Sequence, residues 1–97
     1  MENKMSKTPV LDLLRDPAHW AKGCYAYNSD GESVAPESEQ AVCWCLIGAI
    51  KKCYPENIAN KVDKLDALLE TIAIVPFNDA PSTTHDQIVA LLEKAQI

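Results

Sequence analysis

Apolar residues recur at intervals of three and four along most of this chain, the spacing that aligns one stripe of an α-helix toward a core. The stripe is clearest in the second half, where Ile58, Val62, Leu65, Leu69 and Ile72 step through a helix expected over residues 56–73. Lys61, Asp63, Lys64, Asp66 and Glu70 fill its other faces. A last helix is expected from Thr84, with Gln87 three residues on as a capping box and Ile88, Leu91, Leu92 and Ala95 turned inward. Near the start, Thr8-Pro9 opens a helix whose stripe is Val10, Leu13 and Leu14, leaving Asp12 and Arg15 outside. Asp16-Pro17 repeats the start signal for a short segment through Ala18, His19 and Trp20, closed by Gly23.

Two stretches break this period. Cys24-Tyr25-Ala26-Tyr27 has strand propensity and Asp30-Gly31 is a turn dipeptide, so the stretch is expected to be either a short hairpin, with Ser33-Val34 pairing back, or an ordered loop. The run Ala41–Ile50 holds ten residues without a charge or an amide side chain. Apolar on every side at helical spacing, it predicts an enclosed central helix. Pro36, Glu37 and Glu39 would form its first turn, Lys51 and Lys52 its last, and Pro55 its end. Ile74–Pro81 reads as a proline-punctuated connection, in which Asn78 and Asp79 serve as turn residues. The expected fold is therefore mostly α: four or five helices around a buried central one, with at most one β-hairpin. Residues 1–7 are expected to be a tail and residues 8–97 a single domain.

Composition narrows the class. Ninety-seven residues, 47% of them apolar and 24% charged, suit one globular domain. The net charge of −5 lacks the basic patch that direct binding to nucleic acid or an anionic membrane needs, and suits a basic protein partner. The polar opening Met-Glu-Asn-Lys-Met-Ser-Lys carries no signal-peptide or lipidation pattern, so a cytoplasmic location is expected. Reduced thiols are expected for Cys24, Cys43, Cys45 and Cys53.

The chemistry-bearing residues are scattered. The four cysteines with His19 and His85 form no Cys-x-x-Cys or His-x-x-x-His pair, so no metal and no cofactor is expected. Cys24 or Cys43, His85 or His19, and Asn78 or Asp79 supply the residue types for nucleophilic catalysis without any motif that places them together. Tyr25 and Tyr27 would share one strand face as exposed recognition aromatics. Between Lys22 and Lys51 there is no base, and the acids Asp30, Glu32, Glu37 and Glu39 lie there. With Tyr25, Tyr27, Asn78 and Asp79 they form the candidate partner-binding set.

Trp20-x-x-Gly23, Asp30-Gly31, Ala41-x-x-Trp44-Cys45-x-x-Gly48-Ala49 and Phe77-Asn78-Asp79-x-Pro81-x-x-Thr84 together resemble a family of short phage and bacterial proteins known as a domain of unknown function. The likeness runs from Trp20 to Ala95, with Phe77 standing where members carry a tryptophan. It implies no activity. It implies a setting, in which a small acidic phage protein occupies the surface of a host protein, including defence nucleases. The leading expectation is a binding module, followed by a small Cys/His enzyme and a self-associating structural subunit.

Overall fold

The computed structural model describes residues 7–97, so the expected tail lies, Lys7 apart, outside the described residues. Thr8 and Pro9 start helix α1, Pro9–Leu14, as the sequence indicates, though Leu11 joins Val10 and Leu14 inside while Leu13 is only half-buried. Asp16 caps a single 3₁₀ turn, Pro17–His19, its carboxylate accepting from Ala18 N at 2.9 Å. That segment ends at Trp20, before Gly23.

Strand β1, Ala26–Tyr27, pairs antiparallel with β2, Cys43–Trp44, in the register Ala26↔Trp44 and Tyr27↔Cys43. This corrects two expectations. The expected partner, Ser33-Val34, contributes only an isolated bridge from Ser33 to Tyr27 and a bond from Val34 N to Ala26 O. The uniformly apolar run, expected to be one helix, is half extended chain and half helix. Helix α2 covers only Leu46–Cys53, and Glu37 and Glu39 lie in an exposed loop rather than in its first turn. The run is apolar all round because strand and helix are each covered, not because one helix is enclosed; Val42, at 45% exposure, is its exception. Cys43, Cys45 and Cys53 consequently do not share a helix: Cys43 is in β2, Cys45 caps α2 and Cys53 ends it.

Helix α3, Ile58–Leu69, is shorter than its stripe, because Glu70 takes a left-handed φ of 65° and turns the chain. Ile72, counted in that stripe, is 38% exposed. The expected connection after it contains helix α4, Ile74–Asp79. Pro76 is its third residue, where the backbone N–H has no intrahelical partner and its loss is harmless. Helix α5, His85–Ala95, keeps the expected capping box and buries Ile88, Leu91, Leu92 and Ala95. Leu46, Ala49 and Ile50 of α2 are fully buried, with α1, α3 and α4 packed against that helix and α5 packed on α1 and α3. The described residues thus form a mostly helical globule with a Cα radius of gyration of 12.7 Å.

Candidate functional site

The N-terminus of α2 is where the chain brings its distant segments together. A helix start leaves backbone N–H groups without partners. Here Leu46 N donates to Asn78 Oδ1 of α4 at 3.0 Å, and Gly48 N donates to the Cys45 thiol at 3.3 Å. The same Asn78 oxygen accepts from Trp20 Nε1 at 2.8 Å. Its Nδ2 donates to Ala21 O at 3.0 Å and to Asp79 Oδ1 at 2.9 Å. Both lone pairs and both amide protons are therefore used, and the residue is 1% exposed. Asn78 bonds two remote backbone groups and an indole as well as its neighbour, so it is not the local turn residue expected.

Around this centre the segments 20–23 and 77–80 are laced together. Gly23 N donates to Asp79 Oδ1 at 3.0 Å, and Lys22 Nζ donates to Ala80 O at 2.7 Å while lying 5.3 Å from the Trp20 ring centre. Gly23 holds a φ of 95°, which favours glycine. Gly48 has a different reason: a Cβ there would lie 1.9 Å from Tyr25 O, so only a bare Cα lets α2 lie against that backbone.

Beside this knot opens a cleft of about 390 Å³. Its floor is the buried Cys45, Ile74 and Asn78, with Ile47 and Cys24 half-buried beside them. Its rim is exposed: Tyr25 and Val75, each 47% exposed, then Gly23, Ser33 and Asp79. Three of the candidate residues, Tyr25, Asn78 and Asp79, thus meet at one place. Tyr27 does not line the cleft; half-buried, it donates its hydroxyl to Lys22 O at 2.9 Å. The Cys24 side chain first, and then loss of solvent, keep that phenol protonated above its ordinary range.

Asp30, Glu32, Glu37 and Glu39 are exposed on the loop joining β1 to β2. The turn at its start is built on Asn28, whose Oδ1 accepts from Asp30 N and Glu32 N at 2.9 Å each, with Gly31 at φ 81°. Ser33, just after it, reaches the cleft rim.

Catalytic groups are not assembled here. Cys45 faces the cleft, but burial pushes its thiol up, outweighing the Gly48 and Ile47 N–H groups that would stabilise a thiolate. Neither histidine lines the cleft. Both rings sit at the C-terminal end of α1: His19 Nδ1 is 3.0 Å from Leu13 O, and His85 Nε2 is 2.6 Å from Leu14 O. All four cysteines are free thiols. Among the described residues no three His, Cys, Asp or Glu side chains are grouped as metal ligands.

A family model described as a family of unknown function, DUF6197, matches residues 8–96. The chain belongs to that family. No curated protein matches it, and no solved structure does. In this DUF6197 chain the Trp20-x-x-Gly23, Trp44-Cys45-x-x-Gly48 and Asn78-Asp79 segments all converge on the start of α2. Sequence reasoning found those segments but missed their meeting point, along with Cys24, Ser33, Ile47, Ile74 and Val75 in the cleft.

Proposed function

We propose that the protein is a non-enzymatic binding module that holds a basic protein partner on its acidic face. In the setting its family resemblance implies, that partner is a host protein and this chain a phage-encoded modulator, an inhibitor of host defence among the possibilities of that class. The observation that carries this reading is the acidic loop between β1 and β2. Asp30, Glu32, Glu37 and Glu39 are all exposed, and among the described residues none is paired with a base. Its Asn28-built turn is fixed before any partner arrives, which lowers the ordering cost of binding. Unneutralised carboxylates on a set scaffold steer a basic surface into contact and reject an acidic one. No helix among the described residues is long and apolar enough to cross a membrane.

The test is capture of a partner from host lysate, followed by affinity measurement with the purified protein at low and high salt. Reversing Glu32, Glu37 and Glu39 to lysine together should weaken binding roughly tenfold or more and flatten the salt dependence of the on-rate. An affinity indifferent to those reversals removes the reading.

A further inference from the structure

We propose that the cleft beside α2 is a receptor for one arginine side chain of the protein partner, with Asp79 as its carboxylate. The inference rests on the basic-partner reading above and names the site at which that partner is gripped.

Among the described residues, Asp79 is the single Asp, Glu, Lys, Arg or His side chain lining the cleft. Its Oδ1 is held by Gly23 N at 3.0 Å and Asn78 Nδ2 at 2.9 Å, so the carboxylate is aimed before a ligand arrives. Oδ2 has no partner among the described residues. Lys22, on the adjoining segment, is turned to Ala80 O. Lys51 stands over the Tyr25 ring at 4.5 Å, so both nearby lysines are engaged elsewhere than at Asp79.

The rest of the lining suits the stem of such a residue. Ile47, Ile74 and Val75 offer apolar surface to a propyl chain, while the planar head stays at the wet rim with Asp79. Arginine fits better than lysine because its planar fork keeps its charge and matches a carboxylate, with the Ser33 side of the rim adding a further polar group. A volume of about 390 Å³ admits that side chain with its backbone flanks.

The experiment uses the whole protein, ¹⁵N-labelled, titrated with N-acetyl-arginine amide and with its uncharged analogue, N-acetyl-citrulline amide. The arginine probe should shift the amides of Gly23, Tyr25 and Asp79 with a Kd on the order of 1 mM. The citrulline probe, and the arginine probe on Asp79→Asn, should bind at least about fivefold more weakly. Asp79→Asn keeps an oxygen for Gly23 N, and its unshifted remaining spectrum verifies the fold. Equal binding of the two probes, an unaffected variant, or no shifts at the cleft overturns the proposal. So does tighter binding by agmatine than by a capped Gly-Arg-Gly peptide, which would make the cleft a small-amine site. Because no captured partner enters this titration, its failure leaves the acidic-loop test standing, and failure of the charge reversals leaves the titration readable.

Discussion

Asn78 shows how much one side chain can hold. A buried polar group is tolerable only when its partners are all present, and removing it strands those partners. In Asn78→Ala the Trp20 N–H, the Leu46 N–H and the Ala21 carbonyl lose their bonds together. The expected loss is about 3 kcal/mol or more, read as a lower urea midpoint at constant slope. Two glycines separate space from conformation. At Gly48→Ala the added carbon meets the Tyr25 backbone, so α2 must move and the loss should exceed about 2 kcal/mol. At Gly31→Ala nothing lies within 4 Å, and only the φ of 81° is strained, so about 1 kcal/mol is expected. Urea melts showing Gly31→Ala as the costlier change would contradict this assignment.

At the scale of elements, caps decide where helices begin. The α5 start is local: Thr84 Oγ1 accepts from Gln87 N at 3.3 Å, and Gln87 Oε1 accepts from Thr84 N at 2.8 Å. Thr84→Ala should cost about 1 kcal/mol, and Gln87→Ala should add a further loss, because its bond goes to the residue 84 backbone N–H that alanine keeps; a double-mutant cycle measures how far the two are additive. The α2 start is not local. Cys45 supplies its own cap, but the bond that fixes Leu46 as the first helical residue comes from α4. Strand pairing of Cys43 and Trp44 then prevents the helix from extending back through them.

For the molecule as a whole, buried and partly buried thiols and phenols set the response to alkali. Desolvation raises the Cys45 and Cys53 thiols above 9.0, and Tyr54 is raised above 10.0 chiefly by the same cause. Tyr27 moves the same way, its Cys24 contact leading. In each case the unfolded chain releases the proton first. Stability is therefore complete below pH 9 and declines as pH rises through the folded-state values, the thiols acting before the phenols. Thermal melts across that range should show the decline, and Cys45→Ser should make it shallower, since serine caps Gly48 without titrating. A melting temperature unchanged by alkali in both proteins would refute it.

The chain's own order of residues determined whatever depends on neighbours a few positions apart. That covers the capping box at Thr84, the proline starts at Pro9 and Pro17, the turn at Gly31, the stripe of α5 and the mostly helical class. Tertiary structure alone decided that Cys43-Trp44 is strand, that α4 exists despite Pro76, and that Asn78 is internal. An apolar run satisfies strand and helix equally until a partner offers hydrogen bonds. Only the fold brings Ala26, Trp20 and α4 to the residues that need them. The cleft belongs to the same class, because its walls come from segments more than fifty residues apart in sequence that share no local signal.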